Sequence, residues 1–164
     1  MSNLGLEVAL REQGLQFSRA RVGDRYVREL MQMQNWHLGG ESSGHIICSD
    51  VTTTGDGIVA SLQVLRAIRD LDRSLGDVVS DMPRYPQTMI NVRVSPGAGI
   101  ADSPSIAGAV AAVEEELGDS GRVLLRPSGT EPVIRVMVEG RDADQVRRLC
   151  ESLAQEVEGA LAAA

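Results

Sequence analysis

Aromatic residues are almost missing from this 164-residue chain: one Trp, two Tyr and one Phe amount to 2%. Its cores must therefore be aliphatic, built from Leu, Val, Ile and Ala. A hydrophobic fraction of 43% suffices for one large or two small domains. No apolar run is long enough to span a bilayer and no signal-peptide pattern is visible, so a cytoplasmic protein without membrane association is expected. Cys48 and Cys150 lie far apart without CxxC or zinc spacing, which favours two reduced packing thiols over a disulfide. Positive charge is outnumbered: 16 Lys and Arg against 23 Asp and Glu leave a net charge of −7 and argue against nonspecific nucleic-acid binding. No internal repeat is present.

What the chain does have is a concentration of anion-binding groups between two apolar stretches, running from Arg122 to Glu139. Arg126 offers a planar fork of donors, Ser128 and Thr130 add hydroxyls, and Gly129 lets the backbone approach a ligand closely. Strand alternation puts Ile134, Val136 and Val138 on one face and Val133, Arg135 and Met137 on the other. Arg135 thus sits between apolar neighbours, where a guanidinium either snorkels to water or meets an anion. An isolated Arg-x-Ser reads as a turn with two solvated arginines. The whole Arg126-Pro-Ser-Gly-Thr-Glu-Pro132 run, followed by Arg135, points instead to phosphate.

That run resembles the phosphate-binding loop in the C-terminal domain of the α-D-phosphohexomutases. Further segments extend the resemblance over nearly the whole chain. Gly39-Gly40-Glu41-Ser42-Ser43-Gly44-His45 resembles the family's Glu-x-Ser-Gly-His sugar loop, and Thr52-Thr53-Thr54-Gly55-Asp56-Gly57-Ile58 follows it in the family order. Val22 to Val27 and Val136 to Gly140 are similar to the branch acting on glucosamine phosphates. The family's catalytic-serine loop and Asp-Gly-Asp-Gly-Asp-Arg magnesium loop do not occur here, and Gly55-Asp56-Gly57 supplies one carboxylate where a magnesium site needs several oxygens. The resemblance therefore implies the C-terminal portion of a longer enzyme, beginning inside its third domain, with no catalytic residue and no metal site in this chain.

The implied whole enzyme interconverts glucosamine 6-phosphate and glucosamine 1-phosphate through a phosphoserine, a hexosamine bisphosphate intermediate and Mg2+ bound outside this chain. It would serve amino-sugar nucleotide and peptidoglycan precursor synthesis. This chain alone is expected to be inactive. Its implied partners are the hexosamine phosphate and the enzyme's N-terminal domains, with no nucleic acid and no membrane; a homodimer stays open. The runner-up is the branch acting on mannose and glucose phosphates, where methionine is common at the position of Ser42; a stand-alone sugar-phosphate binding module is a further alternative. The resemblance assigns phosphate binding to Arg126, Ser128, Gly129, Thr130 and Arg135, and sugar binding to Glu41, Ser43, Gly44 and His45.

A carboxylate such as Glu41 can accept from two neighbouring sugar hydroxyls, and the imidazole of His45 can donate to sugar or phosphate. Read without the resemblance, Glu41 to Gly44 is a polar turn and His45 a half-buried strand residue. Arg25 is a candidate cleft residue, while Asp24 reads as a helix cap, His37 as a residue without a partner motif, and Glu114-Glu115-Glu116 as a solvated helix face.

The expected fold class is α/β plus α+β, with the C-terminal part of an α/β layered domain at 1–76, a linker at 77–86 and a small α+β domain at 87–164. In the first part, helices are expected over Leu4 to Arg11 and Asp24 to Gln34, and strands at Gln16 to Ala20, Trp36 to Leu38 and His45 to Cys48. A third helix carries Ile58, Leu62, Leu65, Ile68 and Leu71 on one apolar face, opened by Asp56 or Thr54. In the second, a strand at Gln87 to Val94 precedes a helix capped by Ser103 and stopped by Gly118. A hairpin around Arg126 to Pro132 and a last helix opened by Asp142 or Asp144 complete a β-α-β-β-α order, with helices on one face of a mostly antiparallel sheet.

Overall fold

Local capping chemistry sets most element boundaries in the computed structural model, which describes residues 1–94, 103–129 and 131–162. The chain divides into two compact units, Met1–Arg84 and Tyr85–Ala164. Helices and antiparallel strands are mixed along it, as the expected fold class requires.

In the first unit, Asn3 accepts from the Gly5 amide at 3.0 Å and starts α1 (Leu4–Glu12). Helix α2 (Asp24–Gln34) is capped by Gly23; Asp24, expected as the cap, is its first residue and accepts from the Arg25 amide at 2.7 Å. Strands β1 (Leu38–Gly40) and β2 (Ile46–Cys48) form an antiparallel pair in which Gly40 faces Ile46, so residues 41–45 are the connecting loop. The carboxylate of Asp56, not Thr54, caps α3 (Gly57–Leu71) by accepting from the Ile58 and Val59 amides. Helix α4 (Leu75–Ser80) occupies residues read from sequence as boundary and linker; the Ser74/Asp77 capping box that opens it was the overlooked signal.

One expectation for this unit fails. Residues 16–20 form no strand, since an extended segment becomes one only when another strand pairs with it, and none does among the described residues. The apolar stripe of α3 is not a packed face: Ile58, Leu62, Leu65 and Leu71 are exposed and Ile68 is half-buried. Only Ala60 of that helix is buried, because no element of this unit lies against the stripe.

The second unit is organised around one aliphatic core. Strands β3 (Gln87–Arg93), β4 (Gly121–Pro127) and β5 (Val133–Gly140) form an antiparallel sheet in the order β3-β5-β4. Ile134, Val136 and Val138 of β5, each at most 1% exposed, meet Ile106, Val113 and Leu117 of α5 (Pro104–Leu117) and Val146, Leu149, Leu153 and Val157 of α6 (Ala143–Ala162). Full burial of each such side chain contributes about 1.5–3 kcal/mol, so this cluster packs strongly with no aromatic residue in it. Ser103 holds the cap position of α5 with Pro104 at the first turn, though its hydroxyl meets Ser105 and not a backbone amide. Asp142 opens α6 by accepting from the Gln145 amide at 2.8 Å. Both cysteines are free; Cys150 is buried under the sheet, and burial pushes its thiol pKa up.

Both helices cover the face that carries Ile134, Val136 and Val138. Alternation leaves Arg126 and Arg135 on the other, at the end where β4 turns into β5.

Candidate functional site

Hairpin register decides what the arginines can do. Arg126 on β4 and Arg135 on β5 are directly opposed. Residues so placed have Cβ atoms about 4.5–5.5 Å apart, and like charges there destabilise a sheet. Arg135 donates from Nη2 to the Ser128 hydroxyl at 3.3 Å and to Glu131 Oε2 at 3.4 Å, which aims its guanidinium along the loop. Arg126 Nε is buried and has no acceptor among the described residues. A buried donor of this kind costs about 1–3 kcal/mol. An anion between the two guanidiniums would supply the missing acceptor and reverse the repulsion.

The loop itself is shaped by backbone bonds. The Ser128 amide donates to Val133 O at 2.9 Å, closing the hairpin just before Gly129. Gly129 is exposed, and a Cβ there would meet nothing within 4 Å. The protein's own packing therefore does not require glycine at 129, so the open approach is available to a ligand. Thr130 lies outside the described residues.

At the far end of the same face, Arg122 Nε and Glu139 Oε2 are 2.6 Å apart, with Glu139 fully buried. Sequence reasoning did not identify this pair, although the register that opposes Arg126 to Arg135 also opposes Arg122 to Glu139. The chain contains no lysine, so its strong cations are all guanidiniums, suited to bidentate oxyanion contacts.

In the first unit, the loop between β1 and β2 is folded on itself: the Glu41 amide donates to His45 O at 2.9 Å and the Gly44 amide to Glu41 O at 3.0 Å. Glu41 Oε1 accepts from the Gly23 amide at 3.0 Å, which fixes one carboxylate oxygen at the start of α2. Gly23 has φ 125°, a backbone conformation favouring glycine, so the amide's aim depends on residue type. Ser43 and Gly44 are exposed at the loop tip.

His45 is half-buried, with Nε2 enclosed and lacking a hydrogen-bond partner among the described residues; the Asp24 Oδ2 carboxylate oxygen is 3.7 Å away. Its ring occupies the space a side chain at residue 55 would need, since a Cβ on Gly55 would come 2.1 Å from Nε2. The Thr52 to Gly57 segment thus holds the ring in addition to capping α3. Asp24, Arg25, Arg28, His45, Thr54 and Gly55 line a cavity of about 280 Å³. Arg25 reaches this cavity, with its Nε donating to Glu29 at 2.8 Å. His37 has a partner after all: its Nδ1 is 2.6 Å from Asp50 Oδ1, on two exposed side chains.

The structure therefore brings Arg126, Ser128 and Arg135 together at one sheet end, with Gly129 beside them in the turn. Separately, it gathers Glu41 and His45 with the turn at Gly23 to Arg25.

Comparison with known proteins gives consistent findings. The phosphoglucomutase/phosphomannomutase alpha/beta/alpha domain III model matches residues 1–85, and the phosphoglucomutase/phosphomannomutase C-terminal domain model matches residues 89–156. The phosphoglucosamine mutase of Cellvibrio japonicus is 56% identical over 161 residues, covering 98% of this chain and 36% of that protein. The chain thus spans about a third of that relative's length. Aspergillus fumigatus N-acetylphosphoglucosamine mutase in complex with glucose 1,6-bisphosphate superposes with a TM-score of 0.78 at 17% identity, covering 98% of this chain and 37% of that one. A structure of the same fungal enzyme with GlcNAc-6P and magnesium has a TM-score of 0.57 at 21% identity, covering 66% of this chain and 22% of that one. At those identities the structural likeness concerns the fold.

Proposed function

This chain belongs to the phosphoglucomutase/phosphomannomutase family, and from that membership we propose that it is the substrate-gripping part of a phosphoglucosamine mutase. Such an enzyme interconverts glucosamine 6-phosphate and glucosamine 1-phosphate. The observation that carries the reading is the opposed Arg126 and Arg135 pair with its buried, unsatisfied Nε. The 56% identity to a phosphoglucosamine mutase favours the glucosamine branch over the mannose and glucose branch.

In this reading Arg126, Ser128, Gly129, Thr130 and Arg135 hold the phosphate that is not reacting. Glu41, with one oxygen held by Gly23, presents the other to the sugar's vicinal hydroxyls. Ser43, Gly44 and His45 complete that grip, and Arg25 extends it along its cavity. One phosphate clamp and one diol grip allow a sugar bisphosphate to be held in either of two orientations, because the hydroxyls at positions 3 and 4 stay similarly disposed after a flip. The contribution of these residues is positioning and charge stabilisation, the main needs of phosphoryl transfer.

Among the described residues no three His, Cys, Asp or Glu side chains gather as metal ligands do. No step proposed for these residues passes through a metal; the magnesium and phosphoserine belong to the rest of the enzyme. No helix among the described residues is long and apolar enough to cross a membrane, and a cytoplasmic location is part of the proposal.

Glu41→Gln tests the assignment. Glutamine keeps an acceptor for the Gly23 amide but loses the charge offered to the sugar, so binding of glucosamine 6-phosphate should weaken about three- to tenfold while inorganic phosphate binding stays unchanged. Equal loss for both ligands, or for neither, would contradict a sugar role for Glu41.

A further inference from the structure

The third strand of the phosphate-binding sheet carries polar residues to which no role has been assigned. On β3, Asn91 pairs with Arg135 and Arg93 with Val133. Val92 between them is 5% exposed and belongs to the helix-covered core. Asn91 and Arg93 therefore project to the opposite face, the one that carries Arg126 and Arg135. Arg126, Arg135 and Asn91 form a single row across three strands, and Arg93 lies diagonally from Arg135. Diagonal neighbours are about 7–8 Å apart at the backbone, within the reach of an arginine side chain.

Charge on this face of the sheet is unbalanced. The hairpin's two carboxylates, Glu139 and Glu131, pair with Arg122 and Arg135. Arg93 and Arg126 are left without a carboxylate among the described residues, in a chain whose net charge is −7. Asn91 and Arg93 are both exposed, so neither is needed to fill the core.

We propose that Arg93 is a third anion-binding guanidinium, with Asn91 supplying an amide beside Arg135, so that the site receives a phosphate monoester from three strands. This rests on the phosphate reading of Arg126 and Arg135. A phosphate dianion has three terminal oxygens. Arg126 and Arg135 approach it from the hairpin, Arg93 reaches the oxygen on the β3 side, and the Asn91 amide donates within the row. The arrangement favours a doubly charged ligand, because three cations gain more from two charges than from one.

The competing explanation is that a charge on edge strand β3 merely discourages pairing with another sheet. Binding of inorganic phosphate by the 164-residue chain, measured calorimetrically at low salt, separates the two. Arg93→Ala should weaken binding about three- to tenfold, with Arg93→Lys falling between it and the parent. Arg147→Ala removes a remote, exposed charge on α6 and should change binding less than about 1.5-fold. Arg126→Ala serves as the reference for the underlying reading, and thermal melts confirm that every variant is folded. If Arg126→Ala weakens binding while Arg93→Ala tracks Arg147→Ala, the third-strand assignment is overturned and the hairpin clamp survives. Self-association of Arg93→Ala with unchanged phosphate affinity would likewise assign Arg93 to edge protection. If Arg126→Ala is also without effect, the clamp fails together with its extension.

Discussion

Replacing Arg126 by methionine should make the ligand-free protein more stable and its phosphate binding weaker, two changes of opposite sign from one substitution. The stability gain follows from the register: a like charge directly opposite Arg135 costs about 0.2–1 kcal/mol. A further ~1–3 kcal/mol is at stake in the buried Nε, which finds no acceptor among the described residues. Methionine keeps an apolar stem in the half-buried position, so little packing is lost. Screening and side-chain freedom remove part of these terms, leaving a net gain of about 1 kcal/mol. The binding loss follows from removing the proposed charge-assisted bidentate contact, which would be worth over ~1.4 kcal/mol or a factor of ten or more. Urea denaturation without phosphate reads the first effect, at low salt where repulsion is least screened, and calorimetric titration reads the second. A variant that is less stable without ligand and binds phosphate as the parent does would show that Arg126 is a structural residue.

Two further outcomes are expected. The isolated segment 81–164 should melt cooperatively, because the core of Ile134, Val136, Val138, Val146, Leu153 and Val157 lies wholly within the second unit; a broad, non-cooperative profile by calorimetry would count against its autonomy. Helix α4 should fray in acid: the Ser74 hydroxyl and amide hold the Asp77 carboxyl below its ordinary range. Its stabilisation is therefore complete above the unfolded pKa and lost as pH falls through the lowered folded value. Amide exchange of residues 75–80 that does not change between neutral and acidic pH would refute this.

The second unit was legible in the sequence because its signals are local and self-contained. Alternation in β3 and β5, Pro104 and Gly118 around α5, and the helical spacing of Val146, Leu149, Leu153 and Val157 all agree on one packed face. The first unit was less so. The stripe on α3 announces a helix but not what lies against it, and Ile58 remains 76% exposed. Gln16 to Ala20 has strand composition without a strand to pair with. At the site, residue types identified Arg126, Ser128 and Arg135 individually, whereas the repulsive opposition of the two arginines needed the register. Contacts across chain distance were hidden altogether: nothing near Glu41 points to the Gly23 amide, nor anything near His37 to Asp50.

Amide NMR during a titration with glucosamine 6-phosphate at low salt tests the phosphate clamp most directly. With only part of the enzyme's cleft present, affinity should be near about a millimolar, or roughly −4 kcal/mol. The signals of Ser128 and Gly129 should shift in that range, ahead of those of Glu114, Glu115 and Glu116 on α5. Loop signals that stay still to about tens of millimolar, or that move no earlier than those of α5, would contradict the clamp.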